Sequence, residues 1–316
     1  MIRFLLRKLG AATVAVFSIS ILTFFIFQII PDGDPALRMA GRLASPEDIA
    51  RIRHQWGFDQ SLPVQYGQMM KNIFTGNVVS YTQQVNVLSQ LGRGLPATLS
   101  LATGACLLWV VIGVALGVIT VLYSGKWVDR LLMIFALAGV SLPAYLLGAV
   151  LLYYLSYRAG FFPTGGYVPL TEHPLGWAKH LILPWTTLSI LAIGTHSRVL
   201  RAELLEQLSS DYILAARARG LTEWKILLHH ALRNAIPPVI SLWGMDFAAT
   251  IGGGAILIES IFDLHGIGQY AARSIQTLDV PPVLVIVMFA AILVVLVGTA
   301  TDLIIGWLDP QVRQHS

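Results

Sequence analysis

The sequence predicts an all-α integral membrane protein with six transmembrane helices and both termini in the cytoplasm. Three observations carry this reading. Of the 316 residues, 55% are apolar and only 12% charged, and the mean hydropathy is +0.69. A soluble chain draws about a quarter of its residues from Asp, Glu, Lys and Arg, so this supply cannot cover a globular surface. The apolar residues also fall into six runs near the ~20 residues that a bilayer core requires, and the cations gather on one side of those runs. A soluble enzyme, a disordered chain and a nucleic-acid binder all fit this composition poorly. The pI is near 9.3, but the net charge is only +4 and the cations are spread along the chain.

The first run, Leu9 to Ile30, is 22 residues without a charge. Arg3, Arg7 and Lys8 precede it like the basic start of a signal peptide. The run is too long for one, however, and no small-x-small cleavage site comes before Pro31-Asp32-Gly33, so it reads as a retained anchor. Residues 31–94 form an external loop with folding signals of its own. Ser45-Pro46-Glu47-Asp48 starts a helix reaching about Trp56, and Leu62-Pro63 with Gln65 to Phe74 starts a second. The expected division is thus 1–30 for the N-terminal segment and first span, 31–94 for a small external helical subdomain, and 95–316 for a core of five further spans. Those spans are Leu95–Gly125, Leu131–Tyr157, His180–Ser197, Asn234–Ile258 and a run from Val280 through Thr301 to Leu308.

Orientation follows from Lys and Arg in the loops. With the N-terminus inside, the inner segments hold Arg3, Arg7, Lys8, Lys126, Arg130, Arg198, Arg201, Arg217, Arg219, Lys225, Arg233 and Arg313. Six of the nine remaining cations lie in the 31–94 loop, which is too long to obey the rule.

No local catalytic pattern emerges. There is no G-x-x-x-x-G-K-[ST], H-E-x-x-H or G-x-S-x-G. His229 and His230 are adjacent, so on a helix they diverge by about 100° and make a poor metal pair. The single cysteine, Cys106, excludes a disulfide framework and a Cys-based metal site. No metal site is expected.

The stretch from Arg198 to Ala235 is long for a connection and strongly patterned. Ser209-Ser210-Asp211 supplies capping oxygens, and Gly220 is placed as a C′ residue. Thr222 caps a second helix that brings Trp224, Leu227, Leu228 and Leu232 to one face before Pro237-Pro238. Between the caps lies a helix of about two turns, slimmed by Ala215, Ala216 and Ala218. Two readings stand: a plug for another protein's groove, or an amphipathic helix on the membrane surface with Arg217 and Arg219 towards lipid phosphates.

Leu214-Ala215-Ala216-Arg217-Ala218-Arg219-Gly220 resembles the E-A-A-x-x-x-G signature of permease subunits of ATP-binding-cassette importers, with Leu214 replacing the acid. Further stretches resemble the dipeptide/oligopeptide/nickel branch of that family. They are Phe4 to Lys8, Gly33-Asp34-Pro35, Asp59, Pro63 and Val64-Gln65-Tyr66, Leu95-Pro96-Ala97-Thr98, Ser141-Leu142-Pro143 and Asp309-Pro310-Gln311-Val312-Arg313. The resemblance covers nearly the whole chain.

It implies that the short cytoplasmic helix between spans four and five, residues 211–221, docks into a cleft on a separate ATPase. The coupling residues carried over are Asp211, Leu214, Ala215, Ala216, Arg217, Ala218, Arg219, Gly220 and Leu221. Glu259-Ser260-Ile261-Phe262, Asp263 and His265-Gly266-Ile267-Gly268 resemble the family's E-x-x-F…P-G-x-G external loop near the delivered substrate, with His265 in place of proline. The alternative is a re-entrant turn that seals the external gate. Ser141 and Pro143 join the pathway set. The resemblance also implies a second homologous permease subunit, two ATPase subunits, an external substrate-binding protein and a bacterial inner-membrane location. ATP and Mg are expected on the ATPase chains and no cofactor in this one. Short peptides are the expected cargo, with a nickel chelate as the alternative.

Asp246 and Asp302 lie within spans, where a charge is costly and usually faces a cavity or a partner. Asp246 reads either as a cavity-facing group for a substrate's amino group or a cation, or as a structural hydrogen-bond partner. It is followed by Gly252-Gly253-Gly254, an expected kink. Asp302 and His196 read as structural, and Gly113 with Gly117 as a packing seam. An ion-coupled secondary transporter using Asp246 and Asp302 is the rival reading. It requires inverted repeats and matching broken helices, and the sequence offers one Gly-broken span.

Overall fold

The computed structural model describes residues 2–29, 35–40 and 44–308. Gly33-Asp34 and the closing Asp309 to Arg313 motif lie outside the described residues. The regular elements among those described are helices, with one isolated antiparallel bridge between Val79 and Asn86. Three helical stretches among them are long and apolar enough to cross a membrane: Val87–Leu122, Glu223–Gly254 and Val280–Gly306. A shorter apolar helix covers Gly10–Ile26. The chain forms two compact units, one of Met1–Thr98 with Leu264–Leu293 and one of Leu99–Asp263 with Val294–Ser316.

In the first unit, α1 (Ile2–Ile29) and α2 (Pro35–Ala40) precede α3 (Pro46–Gln55) and α4 (Leu62–Phe74). The start of α3 follows its capping signal. The Ser45 hydroxyl oxygen accepts from the Asp48 amide at 3.1 Å, and Pro46 occupies the first turn, where its missing N–H costs nothing. Met69 of α4, with Trp56 and Phe58 of the connection between α3 and α4, packs around Phe24, Tyr81 and Leu284. Tyr81 receives Trp56 and Phe58 edge-on, with centroids 5.6 and 5.2 Å away. Asp279, just before α14 (Val280–Leu308), is buried and accepts four hydrogen bonds. They come from Ser80 Oγ (2.5 Å), the Tyr81 amide (2.9 Å), the Thr82 amide (3.3 Å) and Thr82 Oγ1 (2.7 Å). A carboxylate so supplied carries its charge out of water without an unmet lone pair. This fastens the Ser80–Thr82 turn to the start of α14.

In the second unit, the apolar run Leu131–Tyr157 is not one helix. It divides into α6 (Trp127–Ser141) and α7 (Ala144–Leu151), followed by a π-helical stretch, Leu152–Arg158. Leu142 is extended (φ −95°, ψ 133°) because the ring of Pro143 excludes the helical conformation from the residue before it. The next helix, α8 (Pro174–Leu208), outruns the predicted His180–Ser197 in both directions and packs against α6 and α7. The seam expected at Gly113 and Gly117 on α5 (Val87–Leu122) faces α8. A Cβ at Gly117 would lie 2.9 Å from Leu200 Cδ2, and one at Gly113 3.0 Å from His196 Cβ.

Beyond α8 come α9 (Asp211–Ala218) and α10 (Glu223–Lys225). A π-helical stretch over Ile226–Ala231 follows, then α11 (Leu232–Ala249), a second π-helical stretch over Thr250–Gly254, and α12 (Ile256–Ile261). The helix runs through both Pro237 and Pro238. One expectation is corrected here. Trp224 does not share the buried face with Leu227, because the wide turns over Ile226–Ala231 shift the helix phase beyond Lys225. Ile226, Leu227 and Ala231 point inward and Trp224 is 55% exposed. The glycine run does bend the chain: Gly253 has φ 138°, open to a residue without Cβ. The last helix before α14, α13 (Ile267–Gln276), belongs to the first unit and follows the turn at Asp263–Gly266.

Candidate functional site

The α9 helix has two faces. Ile213 and Ala216, one turn apart, insert into an apolar cluster with Leu200 and Leu204 of α8 and Ile226, Leu227 and Ala231 of the following helix. Complete burial of an isoleucine contributes about 2 kcal/mol, which anchors a helix too short to stand alone. Ile213 is a residue that motif matching passed over, although its three-residue spacing to Ala216 was readable. The opposite face is bare: Asp211, Leu214 (55% exposed), Ala215, Arg217, Ala218, Arg219 and Gly220 are exposed, and Leu221 is partly buried. Exposed Tyr212 lies beside this set. Ala216 is the exception among the predicted coupling residues, because it anchors the helix and offers little to a partner.

The turn after α9 is set by Gly220, with φ +76° just beyond Arg219, as a C′ residue should be. Across it Arg217 holds Glu223 with two bonds, Nε to Oε1 at 2.8 Å and Nη2 to Oε2 at 3.1 Å. The guanidinium keeps the Glu223 carboxyl below its ordinary range. The expected serine caps do not form. Ser209 and Ser210 instead donate their hydroxyls back to the Glu206 and Gln207 carbonyls, at 2.7 and 2.5 Å. Tyr212 links the other end, donating to Gln207 Oε1 (2.8 Å) and accepting from Asn234 Nδ2 (3.1 Å). The outcome is a short helix pinned at both ends with a small-residue, cationic outer face. Such a part can transmit a push without flexing.

Of the residues predicted for an external loop, Glu259 and Phe262 are buried. The Phe262 carbonyl accepts from the Gly166 amide at 3.1 Å, and a Cβ at Gly148 would touch the Phe262 ring at 3.3 Å. Asp263 adopts φ 46°. In the first unit, His265 at φ 55° donates its amide to Gln269 Oε1 (2.7 Å), and the Ile267 amide donates to Thr98 Oγ1 (2.9 Å). Gly266 lies so near Gly94 that a Cβ on Gly94 would come within 3.0 Å of the Gly266 carbonyl carbon. Gly268 is in the first turn of α13, and Ser141 and Pro143 stand at the α6–α7 break.

Asp246 on α11 and Asp302 on α14 do not serve one site. Asp302 lines a cavity of about 450 Å³ with Gly244, Met245, Ala248, Gly298 and Thr301. Asp246 instead faces α8, with Oδ2 3.9 Å from His196 Nε2. No group of three or more His, Cys, Asp or Glu able to hold a metal is found among the described residues.

Residues 110–314 match the family described as the binding-protein-dependent transport system inner membrane component, and residues 1–102 match its N-terminal component. The chain belongs to this family. It is a permease subunit of an ATP-binding-cassette importer and is not itself an enzyme, the ATPase being a separate subunit. A Brucella abortus (strain 2308) relative named for a peptide transport system permease is 36% identical over 98% of each chain. The dipeptide transport system permease protein DppB of Lactococcus lactis is 32% identical over 99% of this chain and all of its own. Among solved structures, a chain of the MetNI methionine transporter superposes with a TM-score of 0.54 at 20% identity, covering 70% of this permease and 97% of that chain. That similarity shows a shared helical permease fold. Membership also sets aside the ion-coupled secondary transporter.

Proposed function

We propose that this permease imports short peptides across a bacterial inner membrane and forms one half of the translocation pathway. Full-length similarity to relatives named for peptide and dipeptide transport carries the reading. Six spans with both termini in the cytoplasm fit the cation distribution. In this arrangement residues 1–30 anchor the chain, 31–94 form an external subdomain and 95–316 the core. A second permease chain, two ATPase subunits carrying ATP and Mg, and an external binding protein complete the machine, with lipid against the outer apolar faces.

Coupling to the ATPase runs through Asp211 to Leu221. The exposure of Leu214, Ala215, Arg217, Ala218 and Gly220, against the burial of Ile213 and Ala216, supports this role. Ser141, Pro143, Asp246 and the loop from Glu259 to Gly268 border the pathway.

The test is uptake of a radiolabelled dipeptide by the complete complex in proteoliposomes, with binding protein outside and ATP inside. Uptake unchanged by a nickel chelator is the expected result. Nickel uptake without peptide uptake would overturn the substrate reading.

A further inference from the structure

Three side chains from three helices of the second unit meet without satisfying one another. His196 on α8 is completely buried, and its Nδ1 lies 2.9 Å from the Ala192 carbonyl oxygen. A carbonyl only accepts, so Nδ1 carries a hydrogen, and in a neutral ring Nε2 is then a bare acceptor. That Nε2 has no hydrogen-bond partner and faces Asp246 Oδ2 across 3.9 Å. Beside them the indole N–H of Trp109 on α5 is also buried without an acceptor, its ring centred 6.2 Å from the imidazole. A lone pair on a wholly buried ring, set against a carboxylate, is unfavourable. One proton between Nε2 and Oδ2 removes the conflict, whichever atom it sits on, and leaves the pair with no net charge.

Asp246 also reaches outward, with 39% of its side chain exposed. A carboxylate within a span turns its open edge to water or to a polar group rather than to hydrocarbon. We infer that His196 and Asp246 form a monovalent-cation site that holds a proton at rest and takes a substrate's primary ammonium in its place. This rests on the proposed pathway position of Asp246, and only for the route by which the amine arrives. The exchange balances in charge. The neutral protonated pair meets R–NH₃⁺, the proton leaves to water at the exposed edge, and a neutral ammonium–carboxylate pair remains beside an uncharged His196. His196 acts as a positioning residue, tying Asp246 to α8 while the pathway is empty.

The surrounding ionisable groups are few. Cys106 on α5, one helical turn before Trp109, is buried. Arg198, two residues beyond His196, donates Nε to the Gly194 carbonyl. Asp302 on α14 borders the cavity beside Met245.

The experiment uses the complete importer in lipid nanodiscs at pH 7, weakly buffered, with methylammonium as the probe and a pH dye as the readout. The wild type is expected to release one proton per copy of this chain, saturably, while Asp246→Asn releases none. In His196→Gln the amide N–H donates to Asp246 in place of the shared proton. Methylammonium then still binds by calorimetry, without proton release. No release in the wild type, or release that persists in Asp246→Asn, overturns the inference. If Asp246→Asn fails to assemble, His196→Gln decides, since a purely structural pair gives neither binding nor release. Proton release by an importer that carries no peptide would sink the peptide reading and leave the cation site standing. Peptide uptake without amine-driven release would do the reverse.

Discussion

Arg201 grips Asp129 with both ends of its guanidinium, Nη2 lying 2.8 Å from Oδ2 and Nε 3.2 Å from Oδ1. The Gly125 amide donates to the same carboxylate at 3.1 Å. The first turn of α6 is thereby tied to the C-terminal half of α8, which carries α9. The Arg201 hydrogen bonds hold the Asp129 carboxyl below its ordinary range. A depressed acid contributes stability that is present above its unfolded value, about 3.9, and is lost as pH falls through the folded value. Asp129→Asn is therefore expected to lower thermal stability by about 2 kcal/mol at pH 7. The gap from wild type should begin to narrow below about pH 4 and close only as pH falls through the lower folded value. Melting of both proteins in detergent from about pH 8 down to the most acid pH at which both stay folded checks this, and a gap that does not narrow at all below about pH 4 counts against the ion pair.

Ile213 and Leu214 are neighbours with opposite duties. Ile213→Ala removes a buried anchor and should cost about 3 kcal/mol. It should also speed tryptic cleavage at Arg217 and Arg219. Leu214→Ala should leave melting and proteolysis unchanged while weakening ATPase co-purification several-fold. Equal effects of the two on proteolysis would mean that α9 does not bury Ile213 and expose Leu214. Ala216→Asp is a poor probe of coupling, because it places a charge among apolar side chains.

Gly220 separates conformation from contact. No heavy atom lies within 4 Å of the position a Cβ would take there, so the requirement is the positive φ and the space a partner would occupy. Asparagine tolerates that backbone well. Gly220→Asn should keep the ATPase in a mild-detergent pull-down and Gly220→Trp should lose it. Retention by the tryptophan variant would remove Gly220 from the docking surface.

Asp279→Asn keeps one acceptor oxygen but turns an amide N–H₂ towards either the Tyr81 amide or the donors on Ser80 and Thr82. Losing charged acceptors costs about 2 kcal/mol. Backbone hydrogen exchange over residues 77–84 should accelerate by at least tenfold, while exchange in α9 stays as it was. Unchanged protection there would show that the turn does not depend on the carboxylate.

The helical membrane class, the start of α3 at Ser45, the turn at Gly220 and the kink at Gly253 were all legible along the chain. Each rests on a local demand: apolar length for a bilayer, a capping oxygen, or a backbone angle that only glycine meets cheaply. Asp246 stood out for the same reason, as a charge in an apolar run. Its counterpart His196, the burial of Ala216, the exposure of Trp224 and the four donors gathered on Asp279 depended on the tertiary structure. Each is a question of helix phase or of residues meeting from distant parts of the chain. The wide turns at Ile226–Ala231 and the break at Pro143 shift that phase by amounts that a 3.6-residue period does not carry. Sequence alone determined that this chain is a helical membrane permease and where the short helix proposed for coupling starts and ends. Packing alone decided which side of that helix is anchored and which is exposed, because burial depends on what the rest of the chain brings against each face.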